Sequence, residues 1–273
     1  MPALFHTLPR SVAALVSCLL LGLLTTTSLQ AADAELKRIA INGGELEYEV
    51  IGSGEPVLLI HGTGVAATFY NVMREPSLAG YQLIRYHRRG FAGSSRTPDP
   101  FTMQDHAADA NALLTALGIS KAHIVGHSFG ASTSLQLALD APELVHDLVV
   151  IEPPVFDPAA PPAAFAQLTA TWKSGDKEGA MNTFSTMSYG DNWRELAARV
   201  PGGPAQVMAD VDTVFTTETP AMTGWVFNAE KAATIKQPII YITGVSGHGA
   251  SLKQLQQWMP QMQSQVIPEV THA

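Results

Sequence analysis

Between residues 36 and 270, short apolar runs alternate with longer stretches whose apolar positions recur every three or four residues. Residues 36–41 and 45–50 flank Asn42, Gly43 and Gly44, a turn-forming cluster, and predict an opening hairpin. Residues 56–60, 82–86, 122–125, 147–151 and 238–242 are dominated by Val, Ile and Leu, as strands buried on both faces are. Residues 265–270 read as a last strand. Helical spacing fills the gaps: 107–117 before Gly118, and 129–139 before Pro142. The alternation predicts an α/β fold with a mostly parallel sheet and helices on both faces.

From Glu152 to Gln237 the pattern changes. Pro, Ala, Thr and Met dominate, and 162–172, 177–186 and 192–200 look helical. A connection of about 85 residues between two strands is far too long for an ordinary loop, so it predicts a helical lid inserted over an active site. The reading divides the chain into a leader at 1–32, a first core part at 33–151, the lid at 152–237 and a second core part at 238–273.

The leader stands apart in composition. Arg10 gives a positive start, 12–24 is apolar, and Ala31, Ala32 and Ala34 supply small residues, the pattern of a secretory signal peptide. An apolar run of about 13 residues falls short of the roughly 20 that span a bilayer, so no stable membrane span is expected in the mature form. The expected destination is the periplasm or the outside of the cell. Cys18, after Leu15, Val16 and Ser17, weakly resembles a lipoprotein signal, which leaves lipid anchoring as the lesser alternative. Removal of the leader takes away the only cysteine, and with it disulfide and thiol chemistry.

The formal net charge is −8, and Lys and Arg are scattered. Without a basic stripe there is no footprint for a phosphate backbone, and nucleic acid is not expected as a partner. The acidic balance names no substrate, and the oligomeric state cannot be read.

Gly126-His127-Ser128-Phe129-Gly130 spells Gly-x-Ser-x-Gly between a strand-like and a helix-like run. The bare pattern arises by chance in roughly one sequence of this length in ten, so its setting gives it weight. A sharp elbow between strand and helix lifts the serine oxygen into a cleft, and the glycines let neighbouring backbone approach. The helix start adds a positive dipole end near developing negative charge. His61-Gly62-Thr63-Gly64 follows 56–60, where a loop can aim a backbone N–H at an oxyanion, a donor worth about 3 kcal/mol. The N–H groups of Thr63 and Phe129 are assigned that role. His61 and Gly62, with Trp172 and Phe184 from the lid aromatics, are assigned to the substrate under an apolar roof.

The strand with His61-Gly62, the run Tyr86-His87-Arg88-Arg89-Gly90-Phe91-Ala92-Gly93-Ser94-Ser95, and the serine elbow, in that order, resemble the α/β-hydrolase superfamily over most of the chain after residue 36. The resemblance implies an eight-stranded sheet, a lid after the sixth strand, and a Ser, acid and His triad in that order. Ser128 becomes the nucleophile. The commonest acid position holds Gly244, Val245, Ser246, Gly247 and His248 and offers no carboxylate. Some members carry the acid just after the sixth strand, where Glu152 stands, so Glu152 is the expected acid, with Asp157, Asp210 and Asp212 as alternatives. His272 stands where the superfamily places its base, with His248 as the alternative. The family ordinarily continues into a final helix, which the reading expects to be missing here.

These residues imply a serine hydrolase, esterase-like, acting on a small ester or related acyl substrate without metal or organic cofactor. Serine at the nucleophile position argues against the dehalogenase and epoxide hydrolase variants, which need a carboxylate. Two alternatives stay open: a ligand-binding protein that has lost an effective base, and a lyase or cofactor-free oxidising enzyme on the same triad.

Overall fold

The computed structural model describes residues 35–41, 43–96, 100–245 and 249–268. Eight strands form one sheet: β1 (Lys37–Ile41), β2 (Gly44–Ile51), β3 (Glu55–Ile60), β4 (Tyr81–Tyr86), β5 (Ala122–His127), β6 (Val145–Ile151), β7 (Ile239–Gly244) and β8 (Gln263–Ile267). Their spatial order is β1-β2-β4-β3-β5-β6-β7-β8. β1 and β2 run antiparallel, β2 is antiparallel to β4, and every other pairing is parallel. The expected α/β class with a mostly parallel eight-stranded sheet is therefore present.

The central strands are apolar throughout because both faces are covered. Along β3, Leu58 and Ile60 enter one cluster with Phe129, Leu135, Phe184 and Phe215, while Val57 and Leu59 enter a second with Phe69, Met73 and Leu83. Each such side chain, fully removed from water, contributes about 1.5–3 kcal/mol. Helix α1 (Met103–Ala116) begins four residues before the apolar spacing suggests, because Thr102 and Asp105 cap it reciprocally: Thr102 Oγ1 accepts from Asp105 N–H at 3.2 Å and Asp105 Oδ2 accepts from Thr102 N–H at 2.8 Å. Helix α2 (Phe129–Asp140) leaves β5 through a single residue.

Between β6 and β7 the described chain is helical: α3 (Ala163–Lys173), α4 (Lys177–Tyr189), α5 (Trp193–Ala197), α6 (Gly203–Ala209), α7 (Val211–Thr213), a π-helical turn (Val214–Glu218), α8 (Thr219–Thr223) and α9 (Ala229–Ala232). Its aromatic residues Phe165, Phe184, Trp193, Phe215, Trp225 and Phe227 are buried in the larger core cluster. A last helix, α10 (Gly249–Trp258), precedes β8 and was not expected from the sequence. Strand β8 starts two residues earlier than expected, because Gln263 already pairs with Ile240 of β7. Among the described residues no helix is long and apolar enough to cross a membrane. The leader, and the residues after 268 on which the expected absence of a final helix rests, lie outside the described residues.

Candidate active site

Strand order places the site. β4 flanks β3 on one side and β5 on the other, and at such a reversal the loops leaving the strand ends diverge and open a crevice. The loop after β3 and the turn after β5 meet there: a Cβ on Gly62 would stand 2.8 Å from His127 Nδ1 and 3.0 Å from Ser128 Cβ. Only glycine permits that approach.

Ser128 joins β5 to α2 with φ 52° and ψ −121°, a backbone conformation that costs a non-glycine residue about 1–3 kcal/mol. Its surroundings hold it there. The Ser128 N–H donates to Ile151 O at 2.7 Å and its carbonyl accepts from Ala131 N–H at 2.9 Å. Gly126 and Gly130 let α2 press against the sheet: a Cβ on Gly130 would meet His61 O at 2.5 Å and Ile60 C at 2.6 Å, and one on Gly126 would meet Ala131 Cα at 2.6 Å. Phe129 opens α2, so its N–H has no partner inside the helix.

Glu152 steps off β6 beside it. His127 pairs with Ile151 across β5 and β6, so Ser128 and Glu152 leave neighbouring strands at one level. Glu152 also has a positive φ, 49°, and with Ala92 and Ser128 it completes the non-glycine residues of that kind among those described. Its side chain is buried, and Oε1 accepts from Thr243 Oγ1 at 2.7 Å and from Gly244 N–H at 2.9 Å. The other carboxylates sit elsewhere. Asp157 is exposed and caps its own turn through Ala159 N–H; Asp210 is paired with Arg96 at 2.6 Å; Asp212 holds Lys177 and Trp172. His272 and His248 lie outside the described residues.

Three side chains assigned to the substrate are engaged differently. Arg88 N–H donates to His61 Nε2 at 2.9 Å; Nδ1 therefore carries the proton and donates to Gly62 O at 2.7 Å. Burial, and then the Arg88 charge, hold the His61 pKa well below the ordinary imidazole range, so His61 is a neutral strut of its own loop with both nitrogens occupied. Half-buried Trp172 donates Nε1–H to Asp212 Oδ1 at 2.9 Å and stacks on Phe215. Phe184 is buried in the core cluster. Packing within the insertion explains both aromatics.

The loop is held by three residues, Arg88, Glu218 and Tyr189, whose role sequence reasoning missed. Arg88, completely buried, donates from Nε to His61 O at 3.0 Å and from Nη2 to Gly62 O at 3.1 Å. Its Nη1 pairs with Glu218 of the π-helical turn, and its guanidinium lies 4.4 Å over the Phe129 ring. Burial pushes the Glu218 carboxyl up, while Arg88 and a hydrogen bond from the Thr63 side chain oppose that shift. Tyr189 O–H donates to Thr63 O. The insertion thus grips the 61–64 loop directly. It also grips the segment after β4, through Asp210 to Arg96 and Ala92 N–H and through Thr213 Oγ1 to Gly90 O at 2.6 Å. The only available signal was the charged pair Arg88-Arg89, beginning two residues beyond the end of a buried strand. A cavity of about 250 Å³ lies beside Gly64, Val65, Ala66, Glu47, Arg85 and His87, and Ser128 is not among its walls.

Comparison with known proteins agrees with this architecture. A family described as the alpha/beta hydrolase fold matches residues 55–272. RutD of Azorhizobium caulinodans, a provisionally assigned carbamate hydrolase, is 37% identical over 112 residues, which are 40% of this chain and 42% of that protein, so the match spans less than half of the relative. The carboxylesterase CesB of Bacillus subtilis superposes with a TM-score of 0.69 at 20% identity, covering 97% of this chain and 92% of that one. The enol-lactonase of Burkholderia xenovorans gives 0.69 at 18% identity, covering 86% and 92%. At these identities the two structures speak for the fold alone.

Proposed function

Because the chain belongs to the alpha/beta hydrolase fold family, we propose that it is a serine hydrolase acting on a small ester or related acyl substrate. One observation carries the reading: Ser128 and Glu152, both in strained backbone conformations, leave adjacent strands side by side, with Gly62 packed closely against Ser128. Strain of this kind persists where the surrounding structure enforces it, and it gathers at functional sites.

In this mechanism His272 takes the Ser128 hydroxyl proton as Oγ attacks the acyl carbon. Glu152, fixed by Thr243 and Gly244, holds the imidazole in the correct tautomer and stabilises the imidazolium. The N–H groups of Thr63 and Phe129 receive the oxyanion. Collapse expels the alcohol with the proton from His272, leaving an acyl-serine. Water, deprotonated by the same histidine, then releases the acid and restores Ser128. The helical insertion acts as the lid, and through Arg88 and Glu218 it keeps the 61–64 loop in register with Ser128. A carbamate, the chemistry for which RutD is named, fits the same sequence of steps.

Covalent labelling with a fluorophosphonate, followed by peptide mass analysis, tests this reading. Rapid modification at Ser128, together with turnover of p-nitrophenyl acetate that vanishes in Ser128→Ala, is the expected result. Absence of labelling with tight retention of a small molecule would replace it with the ligand-binding reading; labelling without ester turnover would favour the lyase or oxidising alternative. Export belongs to the same proposal: N-terminal sequencing of protein from the periplasmic or culture fraction should begin just after the Ala31–Ala34 stretch, and an uncleaved or Cys18-lipidated chain would overturn it.

A further inference from the structure

Among the described residues, one group gathers side-chain atoms able to share a metal ion: His123, His146 and Asp147. It lies at the far end of β5 and β6 from Ser128. Five residue steps lead from His123 to Ser128, a distance of about 16 Å, so the group stands apart from the proposed hydrolase chemistry.

A β-bulge builds the cluster. Ala122 pairs with Val145, but His123 pairs with Asp147, which leaves His146 as the extra residue. In an unbroken strand His146 and Asp147 would point to opposite faces; a bulge re-aims one of them. As a result His146 Nδ1 lies 2.9 Å and His123 Nδ1 2.8 Å from the same oxygen, Asp147 Oδ2. From the start of β3, Glu55 Oε2 reaches His123 Nε2 at 3.3 Å.

This arrangement is short of positive charge. A neutral imidazole has one N–H, yet His123 faces a carboxylate oxygen with each of its nitrogens. One of those contacts sets lone pair against lone pair unless a proton or another cation intervenes. Asp147 is wholly buried, and its second oxygen, Oδ1, has no hydrogen-bond partner among the described residues. Buried polar atoms without partners are exceptions that call for an explanation.

We propose that His123, His146 and Asp147 bind a divalent transition-metal ion of the zinc class, with Glu55 fixing His123 from outside the coordination shell. Two imidazoles and a carboxylate are the donors such ions prefer, whereas magnesium and calcium take oxygen. The three ligand atoms lie within 4.8 Å of one another, and both imidazole nitrogens stand 2.8–2.9 Å from Asp147 Oδ2; around a tetrahedral zinc ion each such pair would stand about 3.3 Å apart, so the two imidazoles must draw back from that oxygen by about half an ångström to admit the ion. The His146 side chain is 44% exposed, which lets it make that shift and leaves solvent to complete the shell. Glu55 on His123 Nε2 repeats the arrangement in which a carboxylate orients a metal-bound histidine. The bound ion would tie β5 to β6 at the end of the sheet opposite the serine.

The test uses the untagged full chain, stripped with a chelator and titrated with Zn²⁺ against a chromogenic competitor, then with Co²⁺ followed by its visible absorption. One ion per chain is expected, with affinity at least about tenfold weaker in His146→Ala and also reduced in Glu55→Gln. Zn²⁺ should raise the melting temperature of the wild type and leave that of His146→Ala unchanged. Because protons compete for the same atoms, among the facing groups Glu55, Tyr81, His123, His146 and Asp147, affinity should fall as pH drops from about 7.5 to about 5.5. His146 is a surface residue, so its variant should remain folded. No saturable Zn²⁺ uptake, or equal uptake by wild type and His146→Ala, overturns the proposal. Neither result bears on labelling at Ser128.

Discussion

Replacing Gly130 by alanine should damage stability and catalysis together, because this glycine sets the distance between α2 and the end of β3. The new Cβ would collide with Ile60 O and lie 2.5 Å from His61 O, where comfortable contact begins near 3.5 Å. Both neighbours are backbone, so no side chain can turn aside, and helix and strand must part by about 1 Å. Overpacking of this kind costs about 1–3 kcal/mol. Moving His61 O also weakens its bond from Arg88 Nε, a charged-donor bond worth about 1.5–3 kcal/mol. A net loss of about 3 kcal/mol, at about 2–4 °C per kcal/mol in a chain of this size, lowers the melting temperature by about 6–12 °C. A displacement of about 1 Å between Ser128 and the 61–64 loop should also cost about 10²-fold in kcat. Gly118→Ala is the control: its φ is 71° and nothing lies within 4 Å of the added methyl, so it should lose about 1 kcal/mol and no activity. Thermal unfolding by circular dichroism and initial rates on p-nitrophenyl acetate read both effects. If Gly130→Ala melts with the wild type and retains its kcat, the close approach is not what the elbow requires.

Three further outcomes are expected. Glu152→Gln should lose about 10⁴-fold in kcat, because the amide no longer holds the productive imidazole tautomer, whereas Asp157→Asn should be silent; turnover by Glu152→Gln within tenfold of wild type would remove Glu152 from the triad. Arg88→Met should cost about 3–5 kcal/mol in urea unfolding by leaving Glu218 buried alone, and Arg88→Met with Glu218→Leu should recover much of the loss; a double variant no better than the single one would refute the pairing. His106 is buried between the rings of Phe101 and Phe129 with neither nitrogen partnered among the described residues, and burial, followed by the charges of Arg88 and Arg89, holds its pKa well below the ordinary value of 6.5. The unfolded chain therefore takes up a proton below about pH 6.5 that the folded chain refuses, and stability declines as pH falls. His106→Leu should remove about 1.4 kcal/mol per pH unit from that decline, leaving the similar contribution of His61; an unchanged acid slope would count against it.

The strands and the serine elbow were legible because they are local. A buried parallel strand is a run of Val, Ile and Leu, and the elbow is five consecutive residues. Helix α10 escaped because Leu252, Leu255 and Trp258, although three residues apart, are separated by Lys253, Gln254, Gln256 and Gln257 and follow a glycine-rich stretch that reads as loop. Arg88 and Glu218 could not be paired from sequence: one lies two residues beyond β4, the other in a π-helical turn of the insertion, and only the fold brings them together. The same holds for His123, His146 and Asp147, where strict alternation along β6 puts neighbours on opposite faces and the bulge reverses that rule. His61 was legible as part of a motif, but the two backbone partners that occupy its ring were not.

The grip of the insertion on the 61–64 loop and on the segment after β4 limits how such proteins can exchange parts. A helical insertion without counterparts of Asp210, Thr213 and Glu218 would leave Arg88 as a bare charge at the heart of the protein. The insertion and the segments it grips therefore form a matched set, and chimaeras cut at Ile151 and Ile239 should fail unless residues 88–96 are transplanted with the insertion.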